Sequence, residues 1–180
     1  MNAVVEKEHG AAAAAAAAGE RQQYLTFMLG KETFAVSILR IKEIIEYGQL
    51  TTVPMMPEFI RGVINLRGAV VPVMDLMARF GQDSSALSKR TCVVILEIEL
   101  EGETQDVGIL VDAVNEVLEI AGSEVEPAPR FGTNIRADFI SGMGKVGGKF
   151  VIILDLNRVV STEQLQQVVE AGSQELAVAA

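Results

Sequence analysis

Histidine, cysteine and tryptophan are almost absent from this chain of 180 residues, which has one, one and none of them. His9 lies near the N-terminus, so the body of the chain lacks a histidine for a Ser–His–Asp triad, a metal cluster or a proton shuttle. Cys92 alone excludes an intrachain disulfide and a cysteine-rich zinc site, and we interpret it as a small buried hydrophobe. We therefore expect no catalytic residues, no metal site and no cofactor.

Positive charge is scarce as well, because 15 basic residues against 24 acidic ones give a net charge of −9. Nucleic-acid binding needs a basic stripe along the phosphates, and aromatic residues at only 5% offer few platforms for base stacking. The longest wholly apolar run is the alanine block at 11–18, far shorter than the roughly 20 residues of a membrane helix. No secretion signal is recognisable. We expect a cytoplasmic protein that neither binds nucleic acid nor inserts into a membrane.

Two hairpins are the clearest local features, after an Ala-rich tail at 1–22 that we expect to be disordered. The first joins strands at 24–29 and 34–38, which have strand composition and a polar turn between them. The second joins 63–66 to 69–74 through Arg67-Gly68, where glycine supplies the positive φ of a tight turn.

Three shorter elements accompany these hairpins. Asp75 is a suitable N-cap for a helix at 76–80, which Gly81 would end. Between the hairpins we predict a strand at 43–47 and a short helical turn at 58–61, ended by Gly62.

The second half of the chain repeats the first. Residues 107–120 align with 34–47 at an offset of 73. At an offset of 80, residues 139–142 align with 59–62, and residues 151–156 align with 71–76. Five strands cannot bury both their faces alone, and closure into a barrel removes exposed edges. We therefore predict a mainly β fold of two small five-stranded barrels around a shared hydrophobic core. We predict one domain at 23–172, which contains the two halves at about 24–81 and 91–160 and a C-terminal helix at 162–171. A frayed tail at 173–180 follows this domain.

A glycine-rich segment at 142–147 matches the G-x-G-x-x-G pattern, and two interpretations are open. It could be the phosphate loop of a nucleotide-binding enzyme, or the turn of a hairpin; the strand that follows it favours the turn. The alternating Glu97, Glu99 and Glu101 indicate a solvated strand face, because successive outward residues lie too far apart for one cation.

Residues 59–76, FIRGVINLRGAVVPVMDL, resemble the signature segment of the CheW family of chemotaxis coupling proteins. Further similar segments are 34–36, 43–44, 108–112 and 139–144, in the family's order, so the resemblance covers roughly 22–170. It implies two SH3-like β-barrels and a non-catalytic adaptor. The implied partners are the cytoplasmic tips of methyl-accepting chemotaxis receptors and the regulatory domain of the histidine kinase CheA, in membrane-associated arrays. A parallel chemosensory pathway, such as pilus-driven motility, is an open alternative.

The resemblance also implies a set of receptor-binding residues but leaves the kinase-binding residues unassigned. For Val114 and Val117 a place in the core is at least as good an interpretation, and Gly62 could simply end a helical turn. Arg67, at the tip of its hairpin, is either a surface charge or a receptor contact. The implied set is Ile41, Glu43, Gly62, Arg67, Thr91, Val114 and Val117.

Overall fold

The structure is a computed structural model that describes residues 20–160, except 49, 84–85, 101 and 129–136. The described residues form strands and short helical turns, in agreement with the prediction of a mainly β fold. The strands are β1 (Arg21–Leu29), β2 (Glu32–Ser37), β3 (Ile41–Glu46), β4 (Ile60–Leu66), β5 (Ala69–Asp75), β6 (Cys92–Leu100), β7 (Glu103–Val111), β8 (Ala113–Ala121), β9 (Val125–Glu126), β10 (Ile140–Val146) and β11 (Lys149–Leu154). The helices are α1 (Leu76–Arg79) and α2 (Leu156–Val159), with 3₁₀ turns at Ile38–Arg40, Gly122–Glu124 and Ala137–Phe139.

The strands form two sheets that combine both halves of the sequence. One has the order β8-β1-β2-β11-β10-β9 and the other β3-β6-β7-β5-β4. The expectation that each half builds its own five-stranded barrel is therefore wrong. The β1–β2 hairpin joins the strands of the second half, and the β6–β7 hairpin joins those of the first. Parallel pairing of β2 with β11 and of β7 with β5 makes this exchange.

The internal repeat predicted from the sequence is present in the geometry. In one sheet Val73 pairs with Gly108, and in the other Ile153 pairs with Ala35, at the offsets of 80 and 73. Asp75 caps α1, as predicted, and Asp155 caps α2 at the equivalent position of the repeat. Their amide nitrogens donate to equivalent carbonyls, Asp75 to Phe59 at 2.6 Å and Asp155 to Phe139 at 2.9 Å.

A shared hydrophobic core lies between the two sheets, as predicted, and each sheet has a smaller core of its own. Strand β6 contributes to two of them by alternation: Val94 and Leu96 face the shared core, while Val93 and Ile95 face the core of the five-stranded sheet. The six-stranded sheet surrounds a third cluster that includes Ile120 and neighbouring aliphatic residues. Burial of aliphatic side chains is the main stabilising contribution in such a fold, at about 1.5–3 kcal/mol for each.

Arg79 of α1 links the two halves across the repeat. Its guanidinium carbon lies 4.9 Å from the ring centre of Phe59 and 4.8 Å from that of Phe139, which are repeat-equivalent residues. Its Nε donates to the carbonyl of Val159, the residue equivalent to Arg79 itself, at 2.8 Å. Guanidinium groups stack well on aromatic faces, so the two rings hold this side chain in place. Its hydrogen bond to Val159 then connects α1 with α2.

Some predicted boundaries differ from the structure. Strand β1 begins at Arg21, whose pairing with Ala121 draws residues 21 and 22 of the predicted tail into the sheet. The helical turn predicted over 58–61 is wrong beyond residue 59, because Ile60 begins β4 and pairs with Met74. Strand β3 begins at Ile41, two residues before the prediction. The predicted tails at 1–19 and 173–180 and the C-terminal helix at 162–171 lie outside the described residues.

Candidate functional site

Arg67 and Glu43 form an ion pair at the surface of the five-stranded sheet. Arg67 Nη2 lies 3.4 Å from Glu43 Oε2, and the Arg67 side chain is 81% exposed against 27% for Glu43. Two of the seven residues implied by the family resemblance are therefore in contact. An exposed pair of this kind contributes only about 0–1 kcal/mol to stability.

The turn that carries Arg67 has a costly backbone. Both Arg67 and Gly68 have positive φ, at 53° and 86°, which is the pattern of a type I′ hairpin turn. The left-handed region costs a residue with a side chain about 1–2 kcal/mol, and asparagine or glycine is the usual occupant. Asn65 supports the turn, because its Oδ1 accepts a hydrogen bond from the Gly68 amide at 2.9 Å.

A second charged group lies beside this pair. Lys42 Nζ lies 3.1 Å from Asp106 Oδ1 on β7 and 3.5 Å from Glu97 Oε2 on β6. The hydrogen bond to Asp106, and after it the attraction of the two carboxylates, raises the pKa of Lys42 above its usual value. Lys42 is consequently cationic at neutral pH.

Lys42, Asp106 and the Glu43–Arg67 pair line one open cleft of about 390 Å³, which we call the β3–β5 cleft. Its lining residues are Lys42, Glu43, Leu66, Arg67, Ala69 and Asp106. The sequence did not predict a role for Lys42 or Asp106, since the two are separated by 64 positions and meet through the pairing of β3 with β6 and of β6 with β7. The cleft offers both charge signs to a partner.

The other implied residues lie elsewhere on the fold. Ile41 on β3 and Val114 on β8 are partly buried against the shared core, as the core interpretation expected for Val114. Val117, also on β8, is 50% exposed and belongs to the six-stranded sheet. Thr91 is buried, with its Oγ1 accepting from the Ser88 amide at 2.9 Å. The seven residues are not one contiguous cluster of exposed side chains.

Gly62 is buried inside β4 and does not end a helical turn. Its φ of 153° and its position in a bulge of the β4–β5 pairing both favour glycine. A Cβ atom built there would lie 2.6 Å from the Thr51 carbonyl oxygen of the same chain. The close approach that requires glycine is thus made by the chain's own backbone.

The glycine-rich segment at 142–147 belongs to a hairpin, which is the interpretation that the sequence favoured over a phosphate loop. It runs through β10 into a turn where Gly147 and Gly148 have positive φ, and β11 follows directly. A Cβ on Gly142 would lie 2.5 Å from Val125 Cγ1, so packing explains this glycine too. Among the residues described, no group of three metal-binding side chains occurs, and no helix has the length and hydropathy to span a membrane.

Comparison with known proteins now identifies the family. The model of the CheW-like domain matches residues 23–164. The chain belongs to the CheW-like family. The chemotaxis protein CheW of Klebsiella aerogenes is 35% identical to it over 144 residues, which cover 80% of this chain and 84% of that protein.

The fold agrees with a solved structure of the same family. The scaffolding protein TtCheW from Thermoanaerobacter tengcongensis matches with a TM-score of 0.71 and 34% identity, over 81% of this chain and 91% of that one. Protein FrzA of Myxococcus xanthus is a more distant relative, 26% identical over 82% of this chain and 90% of its own. As a CheW-like protein, the chain belongs to a family of chemotaxis scaffold and coupling proteins.

Proposed function

We propose that this protein is a non-catalytic adaptor that links methyl-accepting chemotaxis receptors to the histidine kinase CheA. In this role it is a cytoplasmic protein recruited to receptor arrays at the membrane. Family membership supports the class of function, and the Glu43–Arg67 pair is the observation that carries the receptor-binding site. Neither a cofactor nor a chemical step is part of the proposal.

The Glu43–Arg67 pair supports a binding role because stability does not account for it. The pair is exposed and contributes little to folding, while the positive φ of Arg67 costs folding free energy. Backbone strain that persists without a stabilising return is typical of functional positions. Glu43 holds one nitrogen of the guanidinium, which leaves the other N–H groups of this exposed side chain for an acceptor on a partner.

The lining of the β3–β5 cleft suits the tip of a receptor coiled coil. Such a tip carries charged side chains beside apolar ridges, and the cleft combines Leu66 and Ala69 with charges of both signs. We propose Glu43 and Arg67 as the receptor-facing centre of the site, with the partly buried Ile41 supporting them from the strand that carries Glu43. In the same proposal, Gly62 and Thr91 shape the neighbouring backbone, and Val117 adds an exposed apolar contact.

The test is a titration of a receptor tip fragment and of the CheA regulatory domain against wild type, Arg67→Ala and Arg67→Lys. We expect Arg67→Ala to weaken receptor binding by at least about 1 kcal/mol, or roughly fivefold, and Arg67→Lys to recover part of the loss. Kinase binding should be unchanged if the two partners use separate faces. The matched control is Arg21→Ala, which removes another exposed arginine from the six-stranded sheet.

Unchanged receptor affinity in a folded Arg67→Ala protein would contradict the proposed site. A nucleotide-binding enzyme is the alternative from another class, and the hairpin geometry of 142–148 removes its structural basis. Calorimetric titration with ATP and NAD checks this directly, and saturable micromolar binding would overturn the adaptor proposal. The second candidate function is that of a coupling protein in a parallel chemosensory pathway. The match to FrzA, a relative that is not named as a chemotaxis protein CheW, supports this candidate.

A further inference from the structure

The two halves of the fold differ at one repeat position that faces an aspartate. Arg61 is the extra residue in a bulge of β4, and Ser141 is the extra residue in the equivalent bulge of β10. Bulges direct a side chain out of the regular alternation, so both residues point to the same place in their halves. In the first half Arg61 Nε lies 3.7 Å from Oδ2 of the fully buried Asp75.

In the second half this place is an open pocket. Among the described residues Ser141 makes no hydrogen bond to the aspartate, and about 280 Å³ of free space adjoins Asp155. Asp155 Oδ1 accepts from the Arg158 amide at 3.4 Å, and within the described part of the chain no cation lies within 4.0 Å of it. The lining residues on which the argument depends are Tyr24, Ser37, Arg40, Ser141, Asp155 and Asn157.

Polar residues line this pocket at positions where the equivalent residues of the five-stranded sheet are apolar. Ser37 corresponds to Leu110 by the repeat, and Tyr24 pairs with Ser37 as Val93 pairs with Leu110. Val93 and Leu110 are buried in the core of the five-stranded sheet. Partial burial raises the pKa of the Tyr24 phenol, so this group stays neutral and its hydroxyl can accept as well as donate hydrogen bonds. The pocket therefore holds a carboxylate and several hydrogen-bond acceptors.

We propose that this pocket binds an arginine side chain of a partner protein, with Asp155 as the carboxylate. The chain supplies that arginine itself in the first half, as Arg61, and leaves the equivalent place empty in the second. A guanidinium fits this chemistry, because it has five donors and needs a carboxylate and neutral acceptors in one plane. A net charge of −9 also favours a partner with basic side chains. The inference does not depend on the identity of the coupled receptor or kinase.

The positive charge of Arg40, which also lines the pocket, should weaken the binding of a cation there. It lines the pocket without an ion pair to Asp155, so its charge opposes an incoming guanidinium. Removal of this charge should strengthen binding of a cation, while removal of the Asp155 charge should weaken it. Asn at position 155 keeps the N-cap function, because Asn and Asp are equivalent caps.

The first experiment supplies the arginine from within the chain. In Ser141→Arg the new side chain should occupy the pocket and raise the melting temperature by a few degrees. The variant Ser141→Met controls for added volume without charge, and Ser141→Arg combined with Asp155→Asn should lose the gain. An equal melting temperature for the Arg variant with and without Asp155 would contradict the proposal.

The second experiment uses free probes and amide NMR on the full chain. N-acetyl-arginine amide should shift the resonances of Ser141 and Asn157, and N-acetyl-citrulline amide, its neutral isostere, should bind about fivefold more weakly. Asp155→Asn should remove this difference, Ser141→Arg should block the site, and Arg40→Gln should increase the affinity. Equal binding of both probes, the absence of any shift, or a difference that survives in Asp155→Asn would overturn the proposal. Preference for N-acetyl-lysine amide would overturn its choice of arginine.

Discussion

At the scale of single residues, the signature segment has two kinds of position. Arg67 is exposed and strained, and its ion pair contributes little to folding, which is the basis of the binding role that we propose for it. Gly62, five positions earlier, is buried and meets the chain's own Thr51. Residues that a family resemblance groups together can therefore act through different physical causes.

Gly62→Ala should lower the free energy of unfolding by about 1–3 kcal/mol. The new Cβ would collide with the Thr51 carbonyl oxygen, which accepts a hydrogen bond from the Val63 amide at 2.9 Å. Urea unfolding measures the effect. Gly48→Ala is the matched control, because among the described residues no atom other than those of its chain neighbours lies within 4 Å of a Cβ there. Equal midpoints for the two variants would show that the contact with Thr51 is not tight.

At the scale of elements, the two aspartates that cap equivalent helices have different neighbours. Asp75 is fully buried beside Arg61, whereas the side chain of Asp155 is partly exposed beside Ser141. Both aspartates cap a four-residue helix, so the caps are equivalent and the environments are not. The comparison separates the contribution of capping from that of the buried charge pair.

Asp75→Asn should destabilise the protein by about 1–3 kcal/mol, because it leaves Arg61 beside an uncharged group. Asp155→Asn should change the stability by less than about 0.5 kcal/mol, since the cap is retained at a partly exposed site. Denaturant melts of the two variants test this difference. A similar loss in both would mean that the Arg61–Asp75 pair contributes nothing beyond the cap.

Strand β5 provides a second test at this scale. Val71→Asp should unfold the protein, because Val71 is fully buried in the core of the five-stranded sheet and an unpaired charge there is costly. Ala69→Asp, on the same strand at an exposed position, should leave the fold intact. Circular dichroism distinguishes the two outcomes, and a folded Val71→Asp protein would contradict the assignment of this core.

At the scale of the whole molecule, local features were predictable and long-range pairing was not. The Arg67-Gly68 turn and the Asp75 cap depend on residues a few positions apart, so the sequence alone predicts them. The exchange of the β1–β2 and β6–β7 hairpins depends on parallel pairing between distant segments, which strand composition does not determine. The contact of Lys42 with Asp106 in the cleft was missed for the same reason.

The link through Arg79 yields a prediction for the whole fold. Arg79→Ala should lower the free energy of unfolding by about 2 kcal/mol, because it removes two cation–π contacts and the hydrogen bond to Val159. Arg79→Lys should recover only part of this, since lysine lacks the planar fork. Chemical denaturation provides the measurement, and full recovery by lysine would show that charge alone matters.

The central claim is that one molecule of this protein connects a receptor to a kinase, and co-sedimentation tests it most directly. Receptor fragments displayed on vesicles are mixed with CheA and increasing amounts of the protein, and the pelleted kinase is quantified. We predict that CheA pellets only when the protein is present and that roughly fivefold more of the Arg67→Ala variant is needed to recruit the same amount, while this variant still binds CheA in solution. Recruitment of CheA that is equal with wild type, with Arg67→Ala and without the protein would contradict the account.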